Sequence, residues 1–112
     1  MSLDFSLTVT VDTGGRHPQT LYLYERNYTH NVTPMWQKAG CYDALYNSSG
    51  QLAESIIPAL DRAVHLMKRD PIGYRKLNPS NGWGDYDTAL EFLRRTRIIC
   101  HCHPLAMITI SK

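Results

Sequence analysis

The chain reads as an α+β domain, and three observations predict it. Residues near both ends alternate polar and apolar, the middle repeats its apolar residues at helical spacing, and turn-forming clusters separate the two kinds of segment. At 112 residues the chain suits one domain spanning 1–112, long enough for a core and short for two.

The first strand is expected over residues 5 to 11, where Phe5, Leu7, Val9 and Val11 lie on one side and Ser6, Thr8 and Thr10 on the other. "DTGGRHPQ" breaks the pattern and "TLYLYER" resumes it, which predicts a hairpin with a loop longer than a two-residue turn. Thr33 before Pro34 is a cap residue followed by the residue favoured at the first helical position. A helix should start there, with Met35, Ala39, Tyr42 and Leu45 along one side, and end near Asn47.

A second helix is expected through "SIIPALDRAVHLMKRD", with Ile56, Ile57, Leu60, Ala63, Val64 and Met67 as its apolar side. Pro58 must then sit in the first turn, which makes Ser55 the expected cap. Asp70 and Pro71 predict a short extra helical turn. From Asp85, the positions Tyr86, Ala89, Leu90, Leu93, Thr96 and Cys100 describe a last helix, which His103 and Pro104 end, and "AMITIS" closes the chain as a strand. The expected result is a small antiparallel sheet of about three strands, the N-terminal hairpin plus the C-terminal strand, with three to four helices on one face. The other face would carry Ser6, Thr8, Thr10, Tyr22 and Tyr24. An open sheet of this kind leaves edges and a half-exposed face, from which a homodimer is expected.

Composition excludes several classes. With 43% apolar and 20% charged residues the chain is not expected to be disordered. A net charge of +2 with scattered basic residues gives no continuous footprint for duplex nucleic acid. No apolar run approaches a membrane span, and the start of the chain alternates instead of forming a basic-then-apolar leader, so an intracellular protein without a membrane partner is expected. Three cysteines fit no secreted disulfide framework.

Two loops hold the candidate ligand-binding residues. "NPSNGWGDY" contributes Asn81, Gly82, Trp83, Asp85 and Tyr86; "NYTHNVTPMW" contributes Asn27, His30, Asn31 and Trp36. Each also reads as ordinary turn and cap chemistry: Gly82 and Gly84 for positive φ, Asp85 as cap of the last helix, Trp83 folded back over the core, and His30 as a hydrogen-bonded turn residue. The two readings are compatible, because a helix start also offers free N–H groups to a ligand. The Asp85 charge opposes a bare phosphate there and favours a base, a ribose hydroxyl or a peptide. The loops form one pocket only if the first and last helices start at the same end of the sheet.

"CHCHP" over residues 100–104 invites a metal reading with Cys41 as a third sulfur ligand. A continuing helix turns Cys100 and Cys102 to different faces, however, and places His101 and His103 at a helix C-terminus where positive charge is favoured, so no metal or cofactor is assigned. There is no P-loop, no G-x-S-x-G and no H-E-x-x-H, and no nucleophile is identified. His30 with Asp85 is the one conceivable acid–base pair.

The segments Asp12–Gly15, Asn27–Asn31, Met35–Gly40 and Asn78–Tyr86 together resemble a group of small phage and prophage proteins. Their pattern is an N-terminal strand ending in D-T-G-G, then N-x-T-H-N, M-W-x-x-A-G and N-P-x-N-G-W-G-x-Y before a final helix. "CHCHP" is not part of it. The resemblance implies a viral protein acting in the cytoplasm of a bacterial host, and carries no assigned chemistry. The function expected from sequence is a non-enzymatic binder that sequesters a small polar or nucleotide-like ligand or host signal, as in evasion of host defence. Two other classes are a module that inhibits a host protein by binding it, through Tyr22 and Tyr24 or through Arg94, Arg95 and Arg97, and a small hydrolase using His30 and Asp85.

Overall fold

In a computed structural model, which describes residues 2–112, the chain is α+β. Strand β1 (Ser2–Val11) lies between β2 (Gln19–Thr29) and β3 (Met107–Ser111), and both pairings are antiparallel. Five helices intervene between β2 and β3: α1 (Thr33–Ala39), α2 (Tyr42–Tyr46), α3 (Ile57–Arg69), α4 (Pro71–Arg75) and α5 (Tyr86–Cys102). No helix among the described residues is long and apolar enough to cross a membrane.

β1 turns Leu3, Phe5 and Leu7 into the core, where all three are buried. Its pairing with β2 slips between Leu7, which opposes Tyr24, and Thr8, which opposes Tyr22, leaving Leu23 as the extra residue of a bulge. A bulge resets the in–out alternation of the strand that carries it. Tyr24, Arg26 and Tyr28 therefore share the face of Leu7, Phe5 and Leu3, while Tyr22 shares the face of Thr8. The expectation that Tyr22 and Tyr24 both face away from the helices is corrected for Tyr24: its hydroxyl meets Thr96 Oγ1 on α5 at 2.9 Å.

α5 runs along β2 and repeats this contact over successive turns. Arg26 pairs with Glu91 at 3.1 Å, and the Tyr28 hydroxyl reaches Thr88 Oγ1 at 2.7 Å. Behind the seam, Phe92 stacks on Tyr28 with centroids 5.2 Å apart, and fully buried Trp36 packs on both rings. α3 packs on α5 with Leu60, Ala63, Val64 and Met67 buried, as their spacing predicts.

Two boundaries and one buried side chain differ from expectation. The first helix is two, because Gly40 takes a left-handed φ of 78° and its N–H closes onto the carbonyls of Trp36 and Gln37, which ends α1 before Cys41 starts a new turn. Ser55 does not cap α3; it lies inside a 3-10 turn, Ala53–Ile56, with its hydroxyl on the Leu52 carbonyl, and α3 begins at Ile57 with Pro58 in its first turn. Residue Phe92, outside the expected stripe of α5, is fully buried because Tyr28 and Trp36 reach around to meet it.

The Tyr24–Thr96 contact joins two part-buried hydroxyls that face each other across the sheet–helix seam. Tyr24→Phe and Thr96→Val should each lower unfolding free energy by about 1 kcal/mol in urea titrations, and the double variant should lose less than the two losses added. Strict additivity would show that the two hydroxyls do not act on each other.

Candidate functional site

The two loops meet. β2 ends at Thr29, and its chain turns through a 3-10 segment, His30–Val32, whose start is capped by Thr29 Oγ1 accepting from Asn31 N–H at 3.2 Å. The approach of the 78–86 loop is set by Gly84, which has φ 91° and lies so close that an added Cβ would stand 2.6 Å from Thr29 Cγ2 and 3.0 Å from Val32 Cγ1. Only glycine satisfies both the dihedral and the contact.

The 78–86 loop is tied at each step. Asn78 Oδ1 accepts from Tyr86 N–H at 2.8 Å, and Asn81 Oδ1 accepts from Trp83 N–H at 3.0 Å. Gly82 turns the chain with φ 77°. Asp85 caps α5, its carboxylate accepting from Thr88 N–H at 2.8 Å and from the Thr88 hydroxyl at 2.9 Å. These bonds hold the Asp85 carboxyl below the usual carboxylate range. As that carboxylate is acceptor-only, Thr88 Oγ1 spends its proton there and the Tyr28 hydroxyl donates to it.

Between the loops lies an open cleft of about 820 Å³, lined by Ser2, Asn27, Tyr28, Thr29, His30, Asn31, Trp83, Gly84 and Thr88. Its lining is amide, hydroxyl, imidazole and aromatic, without a lysine, arginine or carboxylate. Trp83 is 70% exposed on its rim, which corrects the expectation that it folds back over the core.

Of the residues proposed from sequence, Asn27, His30, Asn31 and Trp83 line this cleft and the other five do not. Trp36 is fully buried behind Tyr28, and its indole Nε1 has no hydrogen-bond partner among the described residues. Tyr86 is buried with its hydroxyl donating to the Met67 carbonyl at 2.7 Å. Asn81, Gly82 and Asp85 brace the loop that carries Trp83. Sequence reasoning missed Ser2, Tyr28, Thr29, Gly84 and Thr88. A signal existed for Thr88, three residues after its cap; none existed for Tyr28, which lies on the opposite face of β2 from Asn27, or for Ser2, which arrives by strand pairing opposite Thr29.

His30 and Asp85 do not form the acid–base pair conceivable from sequence. His30 Nδ1 lies 2.7 Å from the Tyr46 hydroxyl, and Asp85 is occupied by Thr88. Elsewhere, Cys41 and Cys100 are buried in the core, where burial pushes each thiol up to about 12, while Cys102 is exposed. His101 Nε2 lies 3.0 Å from Asp61 Oδ1, which also accepts from Arg97. Among the described residues no three His, Cys, Asp or Glu side chains converge as a metal set. Compared with known proteins, the chain matches no family model, no curated protein and no solved structure.

Two stability effects follow from this geometry. Gly84→Ala should cost about 1–3 kcal/mol in urea unfolding, since it strains the backbone and pushes the loops apart; an unchanged midpoint would mean that the loops do not dock here. Asp85→Ala should cost about 1 kcal/mol at neutral pH. Because the Asp85 pKa is depressed in the fold, its contribution is whole above the unfolded carboxylate's range and disappears as pH falls through the folded value. The gap between wild type and variant should therefore close in acid, and a gap independent of pH would remove the charged cap as its cause.

Proposed function

We propose that the protein is a non-enzymatic binder that holds a small polar, ring-bearing ligand of nucleoside-like chemistry between its two loops. The observation that carries this reading is Trp83: a large apolar ring, mostly in solvent, on a loop tied down at Asn78, Asn81, Gly84 and Asp85 and facing amides and hydroxyls. Exposed tryptophan on a rigid rim is costly to leave wet and is well suited to stack on a ring. The uncharged lining favours a base or sugar over the phosphate end of such a ligand, because burying phosphate charge needs a cation or a dedicated set of N–H donors. The likeness of the loop motifs to small phage and prophage proteins supports a setting in the cytoplasm of an infected bacterium, where sequestering a host signal would serve evasion of host defence.

A second reading, protein interaction, is favoured by one observation. β3 pairs only with Asp4–Thr8 of β1, so the hairpin beyond Thr8 and Tyr22 has no third strand, and there Leu21 and Tyr22 are 47% and 60% exposed. Two-stranded ribbons with apolar side chains are marginal in water alone. The partner under this reading is a second copy or a host protein.

Tryptophan fluorescence and thermal shift against nucleosides and mono-, di- and cyclic nucleotides test the first reading. A saturable quench with a raised Tm is expected, and both should vanish in Trp83→Ala while buried Trp36 keeps its emission. No response to any member would end it. For the second reading, sedimentation equilibrium of the wild type and of a Leu21→Ser, Tyr22→Ser variant should show a concentration-dependent dimer that the variant loses; a wild-type monomer would exclude the homodimer form.

A further inference from the structure

Hydrogen-bond accounting at the cleft narrows the ligand further. His30 Nδ1 lies 2.7 Å from the Tyr46 hydroxyl, and that hydroxyl has no other partner among the described residues. Tyr46 is buried, stacked on Tyr42 with ring centroids 4.6 Å apart and nearly parallel. If Nδ1 carried the imidazole proton, it would donate to the Tyr46 oxygen and leave the part-buried O–H without an acceptor among the described residues, which forfeits a hydrogen bond. If Nδ1 is bare, it accepts the Tyr46 proton and nothing is wasted. Burial pushes the Tyr46 hydroxyl up to about 12, so the phenol keeps its proton to give. The neutral ring then holds its own proton on Nε2, which has no protein partner among the described residues.

Asn27 is fixed by the same kind of accounting. Its amide nitrogen lies 2.7 Å from Ser2 Oγ and 2.7 Å from Asp4 Oδ1. A carboxylate only accepts, so the NH2 side must face Asp4, and its two hydrogens are both consumed. What Asn27 retains is its carbonyl oxygen, a pure acceptor.

We propose that Tyr46 sets His30 as an N–H donor and that Asp4 with Ser2 sets Asn27 as an acceptor, so that the cleft selects a planar ligand carrying both an acceptor and a donor on one edge, as a nucleobase does. This rests on the reading of the cleft as a ligand site and adds the chemistry by which the ligand is chosen. Tyr46, Asp4 and Ser2 are positioning residues. His30 and Asn27 make the contact, and Trp83 supplies the stacking surface, which every base satisfies equally. Discrimination therefore comes from the polar pair, since a ligand that leaves a desolvated N–H or carbonyl unmatched forfeits that hydrogen bond in full.

The protein itself reports the first half without any ligand. Long-range proton–nitrogen correlation of labelled wild type at pH 8 should show His30 protonated at Nε2 with a hydrogen-bonded, bare Nδ1, and Tyr46→Phe should relax it to a mixture. A wild-type ring protonated at Nδ1, or a Tyr46→Phe ring unchanged from wild type, overturns the inference. The second half is read by fluorescence titration with adenosine, guanosine and uridine beside analogues methylated on the nitrogens of the pairing edge. Methylation should weaken binding at least about tenfold, the loss of one hydrogen bond. Equal affinity for both sets overturns the selection rule while leaving the cleft a binding site. No binding of any nucleoside, with the tautomer as expected, overturns the ligand reading itself.

Discussion

One extra residue in β2 decides how sheet and helices meet. Without the Leu23 bulge, the alternation that puts Tyr22 outside would put Tyr24, Arg26 and Tyr28 outside as well, and α5 would lie against Leu23, Glu25 and Asn27. With it, two tyrosines and an arginine line up beneath three successive turns of α5 and meet Thr96, Glu91 and Thr88. Each contact is modest, since net hydrogen bonds contribute about 1 kcal/mol and exposed ion pairs less. Together they fix where α5 begins along the sheet. The starting point of α5 in turn brings Asp85 and the preceding glycine loop beside the end of β2, so the cleft is a consequence of strand register.

The two tryptophans divide the roles that the sequence left undivided. Trp36 and Trp83 occupy similar contexts as strings, each a few residues from asparagine and close to a helix start. Trp36 is the fourth residue of α1, two after Pro34, where the inward face of α1 takes it under Tyr28 and against Phe92. Trp83 is two residues before a cap, in a bend between Gly82 and Gly84, whose positive φ angles turn the chain, and its ring stays exposed. A helical position commits a side chain to a face; a loop position between two positive-φ glycines does not.

What was legible follows from the same distinction. Period-two and helical spacing identified all three strands, the inward sides of α3 and α5, and the caps at Asp70 and Asp85, because each rests on local chemistry. The break at Gly40 was also local, yet glycine inside an apolar pattern reads as a tolerated defect until its φ is known. The facing of Tyr24 and the burial of Phe92 were illegible, since a bulge is defined by pairing between distant segments. For the site, Asn27, His30, Asn31 and Trp83 stood out by residue type. Ser2, Gly84 and Thr88 join them through contacts made across the fold, and Asp85 and Tyr86 leave because their polar groups are consumed within it.

Consumption of polar groups is also why cap and site are not rival descriptions of the 78–86 loop. A loop that binds by presenting a rigid ring gains from having its own backbone satisfied, because ordering it on binding would otherwise subtract from affinity. Asn78, Asn81 and Asp85 do that work through bonds to Tyr86, Trp83 and Thr88, and the Gly84 contact with Thr29 and Val32 seats the loop against its neighbour. Asn27 Oδ1, His30 Nε2 and the Asn31 side chain, which have no hydrogen-bond partner among the described residues, belong to the residues that line the facing side. A cap that tight still leaves the indole of Trp83 70% exposed at the rim of the cleft, because the bonds that fix the loop are made by its backbone and its short polar side chains and none of them draws the ring inward.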